Sequence, residues 1–248
     1  MKICRFTKDG IIKIGLIENT DEIWVCDTDL RKTEELFYLD EVDLLPPVAP
    51  TKILCVGRNY AEHAAELGNE VPKEPLLFLK APSAIITNGV PIKIPPQSDC
   101  VEHEGELAIV IGRTASRIAD TADPFQFVLG YTCLNDVTAR DLQRKDVQFT
   151  RAKSFDTFCP IGPYIETELD TSDIQVQTLV NGEIRQNGRT SQMVFPVDFL
   201  LRYVSHQMTL LPGDVIATGT PSGVSKLAPG DVCDVVIEGL GTLSNPVK

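Results

Sequence analysis

The stretch VEHEGELAIVIG, residues 101–112, places three glutamates, Glu102, Glu104 and Glu106, at alternate positions just before the apolar run Leu107–Ile111. In an extended strand alternate side chains share a face, with same-face neighbours about 6–7 Å apart. Three carboxylates would then crowd one face at the mouth of a buried strand, and like charges that close repel. A hard divalent cation bound by oxygen ligands would remove the repulsion. Glu104 and Glu106, nearest the buried run, form the better pair. A compact site needs a third carboxylate, and Asp136 in GYTCLNDVTARDLQ ends another apolar, strand-like run. A solvated acidic strand face is the alternative that spacing alone leaves open.

Working outward, strand-like runs dominate: KILCVG, PLLFLK, ELAIVIG, FVLGYTCLND, IQVQTLVNG, GDVIATG and GDVCDVVIEG. Helix-like runs are few and short, around AEHAAEL, VTARDLQRKD and PVDFLLRYVSHQ. Without regular alternation of strand and helix, the pattern predicts a strand-rich α+β roll rather than a doubly wound sheet. Residues 1–47 read as a small β-rich N-terminal domain, a meander with breaks at Asp9-Gly10 and at residues 19–21. LLPPVAP separates it from a main domain spanning 48–248.

Composition narrows the function. A net charge of −12 and a pI of about 4.7 argue against nucleic acid and anionic membranes as partners. No run approaches the ~18 apolar residues of a membrane span. Seven scattered cysteines without a C-x-x-C pair fit reduced thiols in a cytoplasmic protein. Three dispersed histidines supply no zinc site at sensible spacing.

Other segments carry chemistry-bearing residues. In VTARDLQRKD a helix would put Asp136, Arg140 and Gln143 on one face, an acid for metal, an arginine for a carboxylate and an amide. In VGRNYAEHAAELGN, Asn59 and Glu62 have capping-box spacing and Gly68 marks a stop. His63 and Glu66 lie three apart there, a general-base pair able to activate water, on a short helix between polar hinges that would make a lid. Lys153 in RAKSFDTFCPIGP can meet a carboxylate or enolate. GDVIATGTPSGV offers backbone N–H groups and the Thr220 hydroxyl to an anion. Each of these also has an ordinary structural reading as a surface contact or turn.

Taken together and in order, CVGRNYAEHAAE, LFLKAPSA, VEHEGELAIVIG, GYTCLNDVTARDLQ, AKSFDTFCPIGP, LVNGEIRQ, LLPGDVIATGTPSGV and IEGLGTLSNP resemble the fumarylacetoacetate hydrolase superfamily. The resemblance runs from about Ile53 to the C-terminus, roughly four-fifths of the chain. It implies a mixed β-roll, a homodimer, and Mg2+ or Mn2+ held by Glu104, Glu106 and Asp136, with Glu102 behind them. It implies that His63, Glu66 and Lys153 are catalytic and that Arg140, Gln143 and Thr220 bind substrate; Arg58 and Lys80 match motif positions without an assigned role. The implied substrates are small 2-oxo or 2,4-dioxo acids. The intact His63–Glu66 pair points to C–C hydrolysis of an acylpyruvate through an enolate. Oxaloacetate decarboxylation, keto–enol tautomerisation and diene-dioate isomerisation are the alternatives the same apparatus allows.

Overall fold

Apolar runs become strands almost wherever the sequence supplies them. The computed structural model describes every residue except Thr20. KILCVG, PLLFLK, ELAIVIG and FVLGYTCLND form the strands Ile53–Gly57, Leu76–Lys80, Gly105–Ile111 and Val128–Asn135. They lie in one large sheet whose order is Lys32–Tyr38, Glu22–Cys26, Ile11–Glu18, Lys2–Lys8, Cys159–Glu166, Val128–Asn135, Gly105–Ile111, Val215–Ala217, Ile53–Gly57, Leu76–Lys80. Along that path only Val215–Ala217 and Ile53–Gly57 run parallel. A second, antiparallel sheet has the order Glu183–Arg189, Gln175–Val180, Val232–Ile237, Gly241–Pro246.

The strand Gly105–Ile111 is buried along its whole length, and its alternation divides the core. Ala108 and Val110 join one apolar cluster, Leu107, Ile109 and Ile111 the other. The helix Val197–Gln207 covers the second cluster through Val197, Leu200, Leu201 and Val204, the spacing of one helix face. At Gly105 the second sheet comes so close that an added Cβ would lie 2.1 Å from Thr178 Oγ1. Any larger residue between Glu104 and Glu106 would push the two sheets apart.

The N-terminal meander forms as its alternation predicts, with Ile11–Glu18 paired antiparallel to both Lys2–Lys8 and Glu22–Cys26. Of its second break, Thr20 lies outside the described residues. The meander has its own apolar cluster of Cys4, Phe6, Ile23 and Val25. It is also continuous with the large sheet, because Lys2 and Ile3 pair with Glu166 and Ile165.

Two expectations change. The three glutamates do not share one strand: Val101–Glu102 pairs with Thr138–Ala139, and the chain leaves strand geometry at His103 and Glu104 before Gly105. The helix Arg140–Lys145 begins after Asp136, which instead follows directly on the strand Val128–Asn135. The helix cannot start earlier because residues 138–139 are held in that short pairing.

The parallel pair is anchored by one buried carboxylate. Asp214 Oδ1 accepts from Thr51 N at 3.0 Å, Thr51 Oγ1 at 2.7 Å and Lys52 N at 3.1 Å, while Oδ2 accepts from Leu211 N at 2.7 Å and from the Lys52 ammonium. It ties the residues just before Ile53 to those just before Val215. Burial alone would raise the Asp214 pKa, but the Lys52 and Thr51 hydrogen bonds overcome it and hold the carboxyl below its usual range. Asp214→Asn should lower stability by about 1–3 kcal/mol, because an NH2 group would face donors. A depressed folded-state pKa stabilises fully above the unfolded value of about 3.9 and is lost as pH falls through the folded value. The difference between wild type and variant, measured by urea unfolding, should therefore be largest near neutrality and shrink below about pH 4.

Candidate metal centre

Antiparallel pairing brings the acids together. Gly105 pairs with Asn135 and Glu106 with Leu134, so residues 104–106 face the end of the neighbouring strand. Asp136 N donates to Glu104 O at 2.8 Å, and Glu104 N donates to Asn135 Oδ1 at 2.9 Å. The carboxylates of Glu104, Glu106 and Asp136 are buried and offer oxygens within 4.8 Å of one another.

Three cations meet them. Lys153, on the short helix Thr150–Lys153, donates to Glu104 Oε2 at 2.7 Å and to Asp136 Oδ2 at 2.6 Å. Arg140 donates Nε to Glu102 Oε2 at 2.7 Å, Nη1 to Gln143 Oε1 at 2.6 Å, and Nη2 to Glu104 Oε1. Lys80, at the end of its strand, lies 2.7 Å from Asp136 Oδ1. That contact has an ion-pair distance without hydrogen-bond geometry: Lys80 instead donates to the carbonyls of Val137, at 3.2 Å, and Lys153. Asp136 Oδ1 is left buried without a hydrogen bond. Glu106 Oε2 accepts from Gly219 N at 2.7 Å. Gly219 has φ +98°, and a Cβ there would lie 2.7 Å from Asn59 Cβ, so glycine is required for that amide to reach Glu106.

The two glutamates sit in opposite fields. Burial would raise the Glu104 pKa, but the Lys153 and Arg140 charges hold the carboxyl far below its usual range. At Glu106 burial, reinforced by the charges of Asp136 and Glu104, pushes the carboxyl well above it. An all-oxygen triad of buried carboxylates, in which Glu106 meets no cation of the protein and resists ionisation, fits a hard divalent cation.

The triad lines a cavity of about 210 Å3. His63, Arg140, Gln143, Lys153 and Thr220 line it as well, so the sequence-predicted residues converge there apart from Glu66, which stands behind His63. His63, on the helix Ala61–Glu66, is 5 % exposed, with Nδ1 3.3 Å from Glu66 Oε2. Glu66 in turn accepts from Gly223 N at 3.0 Å, which fastens this helix to the 219–224 loop. Asn59 does not cap the helix, as its spacing with Glu62 predicts. It is buried, donates to the carbonyls of Phe195 and Thr218, and accepts from Phe195 N. The Thr220 hydroxyl is engaged within the protein, donating to Gly105 O at 2.8 Å and accepting from Gln186 Nε2 at 2.7 Å.

Sequence reasoning left Lys80 without a role, although a lysine ending the apolar run LLFLK is itself the signal of a buried cation. It missed Arg144 and the T-shaped Phe78–Phe149 pair, centroids 5.6 Å apart, as further parts of the cavity wall. The other histidines are occupied elsewhere: His103 contacts Gln186 and Ser225, and His206 contacts Ile118 O. Burial pushes the Cys133 and Cys159 thiols up to about 12, leaving them inert at neutral pH. A larger groove of about 810 Å3, lined by Tyr131, Leu169, Asp170, Met193 and Asp198, contains no cationic or histidine side chain. Among the described residues no helix is long and apolar enough to cross a membrane.

Residues 52–248 match the family model described as fumarylacetoacetate (FAA) hydrolase C-terminal, and residues 1–47 match one described as Rv2993c-like, N-terminal. The chain is 42% identical over 227 residues to the oxaloacetate tautomerase YisK of Bacillus subtilis, covering 86% of this chain and 75% of that protein. It is 46% identical over 198 residues to a mitochondrial oxaloacetate decarboxylase of Dictyostelium discoideum, covering 77% of this chain and 90% of that one. Among solved structures, the 5-carboxymethyl-2-hydroxymuconate delta-isomerase from Mycobacterium smegmatis superposes with a TM-score of 0.93 at 44% identity, covering 100% of this chain and 99% of that one.

A ligand that binds only the folded state stabilises it, by about 2.7 kcal/mol at a hundred times its Kd. Mn2+ should therefore raise the melting temperature of the wild type. Glu106→Gln should lose most of that rise. Without metal the variant should melt no lower than wild type, because a neutral amide relieves the repulsion that Glu106 suffers. Calorimetric scans with and without Mn2+ check both halves.

Proposed function

This chain belongs to the fumarylacetoacetate hydrolase family, and we propose that within it the protein is a Mg2+- or Mn2+-dependent oxaloacetate tautomerase, interconverting the keto and enol forms of a small 2-oxo acid. The observation that carries this reading is a histidine, paired with Glu66, that lines the same small cavity as three buried carboxylates. Keto–enol exchange needs a place to hold the 1-carboxylate and 2-oxo group, and one base to move the C3 proton. The likeness to oxaloacetate tautomerases and to an isomerase supports the same chemistry.

Glu104, Glu106 and Asp136 would hold the ion, which supplies Lewis acidity at the 2-oxo group. The protein's own residues do the rest. Glu66 holds His63 Nδ1, leaving Nε2 to take the C3 proton of the keto form; that proton then passes from the imidazolium to the 2-oxo oxygen to give the enol, and the reverse transfers regenerate the ketone. Lys153, a donor beside the triad, stabilises the negative charge that develops on the 2-oxo oxygen as the C3–H bond breaks. Burial would lower the Lys153 pKa, but Asp136 and Glu104 raise it, so this ammonium stays charged and is a donor rather than a base. Gln143, its carbonyl held by Arg140, can present its amide N–H to the substrate. The cavity volume suits a four-carbon acid better than a long acyl chain.

Decarboxylation of oxaloacetate is the second reading, favoured by the likeness to the Dictyostelium decarboxylase. Hydrolysis of an acylpyruvate, expected from the intact His63–Glu66 pair, needs in addition a water between His63 and C4. One NMR experiment tests the three. With Mg2+, oxaloacetate should show accelerated enol-to-keto exchange that EDTA abolishes, while acetylpyruvate stays intact. Pyruvate with CO2 from oxaloacetate would make decarboxylation the activity; acetate with pyruvate from acetylpyruvate would make it hydrolysis. His63→Ala should slow exchange by about a hundredfold or more and leave Mn2+ affinity where it was. Exchange that survives in this variant would remove His63 as the base.

A further inference from the structure

The arginine expected to bind substrate is already spent. Arg140 gives its Nε, Nη1 and Nη2 groups to Glu102, Gln143 and Glu104, and Lys153 is divided between Glu104 and Asp136. Two other cations line the same cavity, Arg58 and Arg144. Among the described residues neither makes an ion pair or a side-chain hydrogen bond. Arg58 stands between the strand Ile53–Gly57 and the helix that carries His63. Its φ of +57° puts a non-glycine residue in the left-handed region. That conformation costs roughly 1–2 kcal/mol and persists where the surroundings impose it, often at a binding site. Arg144 follows Arg140 by four positions on the helix Arg140–Lys145, so the two share a helix face.

Charge balance gives these arginines a task. Four acids, Glu102, Glu104, Glu106 and Asp136, are met by three cations, Lys80, Arg140 and Lys153. A divalent ion would leave one positive charge over, which the 1-carboxylate of a 2-oxo acid cancels. A second substrate carboxylate finds no counter-charge in that set. We propose that Arg58 and Arg144 form a subsite for the distal carboxylate of a dicarboxylic 2-oxo acid and so select diacids over monoacids. This rests on the proposed 2-oxo acid chemistry for the substrate class; its own support is that both arginines line the cavity and that, among the described residues, neither has an ion-pair partner. Arginine suits the role because its planar fork binds a carboxylate bidentately.

L-Malate and L-lactate share a 1-carboxylate and a 2-hydroxyl and differ in the distal carboxylate. Titrated calorimetrically into the Mn2+-loaded protein, malate should bind at least about tenfold more tightly, the yield of one charge-assisted pair. Arg144→Gln and Arg58→Asn should each bring that ratio close to unity; Asn tolerates the left-handed backbone at residue 58. Arg144 is exposed, so its variant keeps the test open if the other fails to fold. Malate bound no tighter than lactate by the wild type, or a ratio unchanged in both variants, overturns the subsite. Oxaloacetate exchange measured on the same samples separates the two ideas: a malate preference lost in the variants of a protein without tautomerase activity supports the subsite and refutes the tautomerase.

Discussion

The site depends on buried acids that repel one another. Two unit charges about 4 Å apart interact by roughly 4 kcal/mol at an effective dielectric near 20, several times the net value of a hydrogen bond. Three carboxylates within 4.8 Å therefore have to be compensated by the fold before any ligand arrives. Lys153 bridges two of them, Arg140 bridges Glu104 to Glu102, and Lys80 presses on Asp136 from the protein side. Glu106 alone has no cation in contact, only the Gly219 amide, and its carboxyl resists ionisation accordingly. The imbalance is local: two acids of the triad are paired with cations, and Glu106 is not.

Compensation also assigns the basic residues different work. Lys153 and Arg140 read from sequence as groups for a substrate, yet most of their donors hold the triad in shape. Lys80 gives two of its donors to the carbonyls of Val137 and Lys153 and pairs its charge with Asp136. A lysine that contacts a ligand residue on one side and the backbone of another site residue on the other acts as a spacer between two elements. Substitution there would disturb several groups at once.

Much of this was legible beforehand for a physical reason. The runs ELAIVIG and FVLGYTCLND are apolar throughout because both faces of those strands are buried, and the acids at their ends stand out against that background. His63 and Glu66 were legible because spacing on a helix is local. Strands such as CPIGPYIE and GTLSNP were not: two prolines and glycines deny them a β pattern, and they are held by neighbours distant in sequence. The first of them tolerates Pro163 at a register shift, between the pairings of Gly162 with Cys133 and Glu166 with Tyr131. Asn59 misled because a polar residue near a helix start predicts a cap, while tertiary contacts with Phe195 and Thr218 used its amide instead. The commitment of Arg140 was invisible because Glu102, Glu104 and Gln143 reach it through folding, not through one helix face.

The joining of the N-terminal meander to the large sheet has a further consequence. Were it absent, the strand Cys159–Glu166 would offer its unpaired backbone groups along Tyr164–Glu166 to any passing chain, the template on which sheets stack into aggregates. The meander moves that frontier outward to Lys32–Tyr38, whose first four residues, Lys32, Thr33, Glu34 and Glu35, are exposed and mostly charged. A charged border strand discourages further pairing. The first strands of the chain thus give the sheet that carries the acids a charged border.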